Sequence, residues 1–457
     1  MLKVTFRTKL TGEATLGLKL RTTDRLTKKN EQNRPRTSVV LAGGGARGAY
    51  EVGVFLYIRE KLAKNLGYQV PIDVITGTSV GAINASFIAA TMDQPEIQAQ
   101  LLRKSWASIR VDDLLSVGFT DVFKAGRLMF GKSNDDATYR GSRHGGLLNT
   151  TGLERFVARQ TPWRNITKNI NNGTLKALAV SATHVGTGHT VVFTQADKQN
   201  PCWSQNPFVS QQSTRIGPRH VLASAAIPVV FSSVKIAGEY YTDGGLRQNT
   251  PMSPAIRLGA DRLLVVSLRH IATPDELSVQ HAHGARYPRP LFLLGKALDA
   301  LMLDHTEYDL DRLERTNAIL EAGTKAFGPH FNNVLNDKLT ELRGAPIRPI
   351  DAVHIRPSED IGSMAADFIN SGKARIKNKL LGRFMSKYVQ GEEGTHSDIP
   401  SYLLFDGRFA SDLINLGYED AARQEEQLAR LFSVYGQEQP KPESDSPQQF
   451  SNSNGGL

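Results

Sequence analysis

Three short stretches of this chain hold residue types that could do chemistry together. The first is Gly77-Thr78-Ser79-Val80-Gly81, a G-x-S-x-G pattern between a β-rich run at 72–76 and a helix-forming stretch. Strand, tight turn and helix in that order describe a nucleophile elbow, which presents a serine hydroxyl for attack on an acyl carbon. Gly77 and Gly81 suit such a turn, because backbones without a Cβ pass closely and unusual φ/ψ values cost little. The helix that begins here points its positive end at any anion formed near Ser79.

The second stretch is Gly43-Gly44-Gly45-Ala46-Arg47-Gly48, and it fits two chemistries. Gly43, Gly45 and Gly48 match the G-x-G-x-x-G dinucleotide fingerprint. That fingerprint needs an acidic residue near the end of the second strand to grip a ribose hydroxyl. Here the second strand ends in Thr76-Gly77-Thr78-Ser79 and Asp73 sits near its start, so the nucleotide reading lacks its second anchor. In the other reading the successive amides form a concave oxyanion hole, and Arg47 adds positive charge. The third stretch is Asp243-Gly244-Gly245. Asp243 closes an extended segment, and two glycines allow a tight turn behind it.

These groups need a scaffold. Residues 37–42 read as a buried strand ahead of the glycine loop. A mostly apolar helix from Tyr50 to about Lys64 follows, and Gly67 and Pro71 punctuate the return, so 38–76 forms a βαβ unit with parallel strands. Gly81, Ala85 and Ala89 make a ridge of small residues at helical spacing, which lets that helix lie close to its neighbours. Residues 116–143 interleave Phe119, Phe123 and Phe130 with Lys124, Arg127 and Arg140, as a lid, a membrane-touching surface or packing over the site would. Thr151-Gly152-Leu153-Glu154 has the form of a capping box. Strands follow at 175–183 and 189–193, around a Gly186-Thr187-Gly188 turn. A polar loop containing Cys202 and Trp203 comes next, then a short helix stopped by Pro228 and a strand or hairpin over 231–241. A helix at 254–258 and a strand at 263–268 complete the step. Leu291, Leu294, Leu298 and Leu301 recur at helical spacing, with His305 on the same register as a structural residue. Residues 352–355 make a further strand at a sheet edge, and helices are expected over 364–381, 401–416 and 418–435. The chain shows no repeat and no metal-ligand spacing, and His281 and His283 form only a close pair in a loop.

At 457 residues the chain is long enough for a sizeable buried core, and 40% hydrophobic with 22% charged is ordinary for a soluble protein. No apolar run reaches the roughly 18–20 residues of a membrane span, and no secretory signal opens it. One cysteine, Cys202, leaves no internal disulfide. The expected location is the cytoplasm or a peripheral membrane site, with signal-independent export as a further route. Of the net charge of +10, residues 1–36 supply ten Lys or Arg against three acids, which is +7. Such an arm attracts polyanions, anionic lipid at up to about 1 kcal/mol per charge, or stays a solvated extension; nucleic acid is not the expected partner.

Joined by Ala223-Ser224-Ala225-Ala226-Ile227-Pro228 and Asn249-Thr250-Pro251, the three stretches resemble the patatin-like phospholipase family over about residues 38–270. The resemblance implies an α/β fold, a three-layer α/β/α sandwich with a mostly parallel central sheet and a helical C-terminal extension. It implies a Ser-Asp dyad, with Ser79 as nucleophile, Asp243 as base and Gly43, Gly44, Gly45, Ala46, Arg47 and Gly48 as oxyanion hole. Gly77, Gly81, Gly244 and Gly245 would support these groups. The implied activity is hydrolysis of phospholipid acyl esters, of phospholipase A or lysophospholipase type, without metal or cofactor. The expected organisation is a flexible basic arm (1–36), a catalytic domain (37–357), a helical C-terminal region (358–435) and a disordered tail (436–457). A carboxylate activates a serine directly only where burial and few competing donors make it basic. The alternatives are a Ser-Asp-His esterase or acyltransferase with His270, or less well His220, as base, and a non-catalytic lipid-binding protein.

Overall fold

The computed structural model describes residues 34–116, 148–197, 207–274, 306–343, 346–389 and 399–433. The readings made for 117–143, for Cys202 and Trp203, for His281 and His283, for the leucines before 306, for His305 and for the tail after 433 lie outside them, as does the arm up to 33. The strands are β1 (Thr37–Leu41), β2 (Val74–Thr78), β3 (Ala177–His184), β4 (Thr190–Ala196), β5 (Val209–Ser213), β6 (Val234–Ile236), β7 (Glu239–Asp243), β8 (Arg262–Val266) and β9 (Asp351–Ile355). They form one sheet in the order β5-β4-β3-β2-β1-β8-β9, with the β6–β7 hairpin joined to the end of β3. The central pairs β3–β2, β2–β1, β1–β8 and β8–β9 are all parallel, and the chain reverses direction at β3–β4.

Side chains alternate across a strand, so a sheet buried on both faces reads as a continuous apolar run. That is the case here. Val39 and Leu41 of β1, Ile75 of β2, Leu178 and Val180 of β3 and Leu264 and Val266 of β8 share one core. Their neighbours Val40, Leu263 and Val265 share a second core with Met252, Ala255 and Ile350, and Val74, Ala177 and Ala179 a third. Helices therefore cover both faces, and the architecture is the three-layer, mostly parallel α/β arrangement.

The helices used below are α1 (Ala49–Tyr57), α2 (Val80–Ala90), α3 (Pro95–Ala107), α4 (Thr151–Gln160), α5 (Pro218–Ser224), α6 (Met252–Arg257), α7 (Thr306–Phe327), α8 (Ile361–Asn370), α9 (Lys379–Val389), α10 (Ile399–Leu403), α11 (Gly407–Arg423) and α12 (Glu425–Phe432). The C-terminal helices are built into the main core. Phe409, Leu413, Leu428 and Phe432 belong to the same cluster as Val39 and Leu264.

Several boundaries differ from the sequence reading. The helix breaks expected near Leu416 and Tyr418 are absent, and α11 runs through Gly417. A Cβ at Gly417 would stand 2.1 Å from the carbonyl oxygen of Tyr50 on α1, so this glycine permits helix contact rather than ending a helix. Tyr50 Oη donates to Asp420 Oδ2 across the same contact at 2.9 Å. The expected helix 364–381 is split, because Gly372 at φ 69° stops α8 and α9 begins only at Lys379. The capping box at Thr151 does not form. The helix starts on the Asn149 side chain, whose Oδ1 accepts from the amide and the hydroxyl of Thr151. Residues 34–36, which composition groups with the arm, are fixed to the sheet. Arg34 makes a bidentate pair with Asp73 at 2.7 and 2.8 Å, and the Arg36 amide donates to Asp261.

Candidate active site

The parallel order brings the C-terminal ends of β1 and β2 side by side, so the glycine loop and the elbow emerge together. Ser79 has φ 54° and ψ −122°, a conformation that costs a residue with a side chain about 1–3 kcal/mol. The turn is held by close backbone passage. A Cβ on Gly77 would lie 2.3 Å from Gly81 O, and one on Gly81 would lie 2.4 Å from Leu41 O. The Ser79 amide donates to Ser224 Oγ at 2.8 Å, and Ser224 Oγ in turn donates to Ser181 O at 2.6 Å. Ser224 thus ties the elbow to β3 from α5. Ser224→Ala would leave a buried amide and a buried carbonyl without that partner, a loss of about 2–4 kcal/mol. Thermal unfolding is expected to show a lower midpoint, and turnover should fall with it.

Asp243 ends β7, which pairs antiparallel with the end of β3 and so carries the carboxylate back toward Ser79. Its Oδ2 accepts from Ser79 Oγ at 2.7 Å, and its Oδ1 accepts from the Gly245 amide at 2.7 Å. Gly244 and Gly245 make the tight turn that supplies this amide. The backbone around Asp243 is pinned as well: its amide donates to Ala226 O, and Thr183 Oγ1 donates to its carbonyl. The carboxyl is fully buried. Burial pushes it up to about 7 from the ordinary 3.8, against the opposing hydrogen bonds from Ser79 and Gly245. Ser79 and Asp243, 164 residues apart, are therefore in direct contact.

The glycine loop lies over the elbow. A Cβ at Gly43 would stand 3.0 Å from Ser79 Cβ, and one at Gly48 would stand 2.4 Å from Val80 Cγ2. Its residues do not all face the serine in the same way. The Gly43 amide is taken by Asn249, whose Oδ1 accepts it at 3.0 Å while its Nδ2 returns a bond to Gly43 O. The amides of Gly44 and Gly45 have no acceptor among the described residues. Gly45 through Gly48, with Ala46 and Arg47 between them, form a 3-10 turn leading into α1. Arg47 is buried, with Nε donating to Ser401 Oγ and the guanidinium over Tyr402, both on α10. At the far end, Asn84 Nδ2 donates to Gly48 O and to Glu51 Oε2, and Trp106 Nε1 donates to Asn84 Oδ1. Burial holds the Glu51 carboxyl well above the usual range, against the Asn84 hydrogen bond.

The histidines take other positions. His270 Nδ1 lies 3.1 Å from Pro357 O. His220 packs edge-on to Phe193, its Nδ1 accepts from the Gly217 amide, and burial lowers its pKa. Asp73 is engaged by Arg34 and the Thr37 amide rather than standing at a ribose site. Among the described residues no group of three or more His, Cys, Asp or Glu is placed to hold a metal ion, and no helix is long and apolar enough to cross a membrane. A groove of about 1440 Å³ lies elsewhere, lined by Glu307, Leu310, Glu314, Asn317, Ile350 and His354 among others, and neither Ser79 nor Asp243 borders it.

Sequence reasoning quoted Ser224 and Asn249 but gave neither a role; the signal for Ser224 is a polar residue inside a buried run. It missed Asn84, Trp106, Ser401 and Tyr402, which carry no local signal. Chemically, a serine hydroxyl bonded to a buried, basic carboxylate can surrender its proton as Oγ attacks an acyl carbon.

Residues 39–256 match the family model described as patatin-like phospholipase. A patatin-like phospholipase domain-containing protein of Caenorhabditis elegans is 37% identical over 62 residues, 14% of this chain and 4% of that protein. A probable lipid hydrolase of Invertebrate iridescent virus 6 is 24% identical over 227 residues, 48% of this chain and 63% of that protein. The chain thus spans less than two thirds of the length of either relative. The crystal structure of VipD from Legionella pneumophila overlaps 85% of this chain and 91% of its own, at 12% identity and a TM-score of 0.25, a likeness too slight to carry an argument.

Proposed function

Because residues 39–256 are a patatin-like phospholipase domain, we propose that this protein cleaves acyl esters of glycerophospholipids through a Ser79–Asp243 dyad and an acyl-enzyme. The observation that carries this reading is the 2.7 Å bond from a strained Ser79 to a fully buried Asp243. In the proposed reaction Asp243 Oδ2 accepts the proton of Ser79 Oγ as the oxygen attacks the ester carbonyl. The tetrahedral oxyanion is met by the amides of Gly44 and Gly45, with the positive end of α2 beside it. Collapse expels the lysolipid alcohol, which recovers the proton from Asp243. Water, deprotonated by the same carboxylate, then frees the fatty acid and restores Ser79.

The surroundings of β7 fit a lipid–water interface. Val185, Phe208 and Tyr240 are exposed, the Val185 amide donates to Tyr240 O, and cations lie over two of the rings, Lys235 over Tyr240 and Arg247 over Phe208. Incubation with vesicles of defined phospholipids and mass analysis of the products tests the reading. Free fatty acid with lysophospholipid is expected, together with a fluorophosphonate adduct on Ser79. Wild-type protein that releases no acyl chain and takes no adduct would refute it.

A further inference from the structure

The C-terminal segment closes a ring around the glycine loop. Arg47 is buried on the loop, and its Nε donates at 2.8 Å to Ser401 Oγ, 354 residues away. Its guanidinium carbon lies 4.3 Å from the ring centroid of Tyr402. Gly45, at φ 59°, passes so close to this segment that a Cβ would stand 2.3 Å from Tyr402 O. Ser401 and Tyr402 are themselves buried. The segment is braced from behind. Phe405 stacks on Trp106 of α3 at 6.3 Å, and the Gly407 amide, at the start of α11, donates to Ile109 O. Trp106 Nε1 leads back through Asn84 to Gly48 O, the other end of the same loop.

A positive charge placed in an oxyanion loop is expected to serve the oxyanion. Here the Nε hydrogen bond and the ring contact both go to α10. A cation over an aromatic face is held more strongly when the pair is desolvated, and the loop amides act only when their geometry is fixed in advance. We propose that α10 and the residues after it are a positioning element for catalysis. Ser401 and Tyr402, through Arg47, hold the Gly44 and Gly45 amides at the elbow, so the helical C-terminal region sets the turnover of a site whose reacting groups lie wholly upstream. The inference rests on the proposed oxyanion role of those two amides.

The test uses the full chain with Tyr402→Ala, Tyr402→Phe and Ser401→Ala, and two readouts. Hydrogen exchange reports on the peptide containing 43–48, and kcat and KM are measured for fatty-acid release from phospholipid vesicles. Tyr402→Ala is expected to speed exchange in the loop about tenfold while leaving β1 and β2 unchanged. It should lower kcat about 10–100-fold with KM held within about twofold, the mark of displaced transition-state donors. Tyr402→Phe keeps the ring under the guanidinium and should restore both. Ser401→Ala removes one hydroxyl and should lower kcat about 3–10-fold; it decides the matter if Tyr402→Ala does not fold. Loop exchange and kcat at wild-type values in a folded Tyr402→Ala or Ser401→Ala protein would overturn the proposal, as would a kcat loss that Tyr402→Phe leaves uncorrected. If the wild type releases no fatty acid, the enzymatic reading fails by itself, and loop exchange still decides whether α10 holds the loop.

Discussion

Ser79→Ala is expected to abolish acyl release, with turnover lower by about 10⁴-fold or more. The reason is chemical: no other hydroxyl among the described residues is bonded to the Asp243 carboxylate, so no substitute nucleophile stands ready. The fold should survive. Alanine can occupy the same turn at similar strain, and Ser79 is already within the packed core. The change also removes the hydrogen bond that opposes the upward shift of Asp243, so the carboxyl should titrate higher still and stay neutral near pH 7. The measurements are fatty-acid release, fluorophosphonate labelling and thermal unfolding. A Ser79→Ala protein that still releases acyl chains at a tenth of the wild-type rate would remove the serine from the mechanism.

Asp243→Asn is the second large effect, and it runs in opposite directions for activity and stability. The amide cannot accept the serine proton, and loss of a general base costs about 10²–10⁴-fold in turnover. The stability sign follows from the raised pKa. With a folded value of about 7 against an ordinary 3.8, the folded chain keeps a proton between those values that the unfolded chain has released. Stability from this group therefore falls as pH rises from about 4 to about 7 and stays low above that. Wild-type turnover should rise through the same window, since only the ionised carboxylate acts as base. Asparagine carries no charge to desolvate and keeps an oxygen for the Gly245 amide. It should therefore be more stable than wild type at pH 8, by at most about 4 kcal/mol, with the gap closing near pH 4. Unfolding curves at pH 5 and pH 8 and a pH–rate profile check both halves. A stability gap that does not widen with pH, or turnover near wild type in Asp243→Asn, would contradict this assignment.

Local chemistry made much of this legible before any coordinates. The apolar run Ser38-Val39-Val40-Leu41-Ala42 and the Ile72 stretch read as neighbouring parallel strands because a sheet covered on both faces needs no polar alternation. Gly77 and Gly81 marked a turn because only their missing side chains allow a backbone carbonyl at 2.3–2.4 Å from a Cβ position. The misread elements share a cause. Gly417 reads as a stop in isolation, yet its neighbour in space is Tyr50 on another helix. The Thr151 capping box lost to an asparagine two residues upstream.

What the sequence by itself determined was the reactive inventory: a serine on a turn, a run of glycine amides, and an aspartate at a strand end. Which of these serve which atom was decided only in three dimensions. The antiparallel pairing of β7 with β3 delivers Asp243 to Ser79, Asn249 claims the Gly43 amide, and α10 claims Arg47. Those assignments depend on contacts between residues 164 to 354 positions apart. Spacing along a chain encodes faces and turns, because these repeat within a few residues. It holds no record of which distant group fills the last hydrogen bond, since that is set by packing of the whole core.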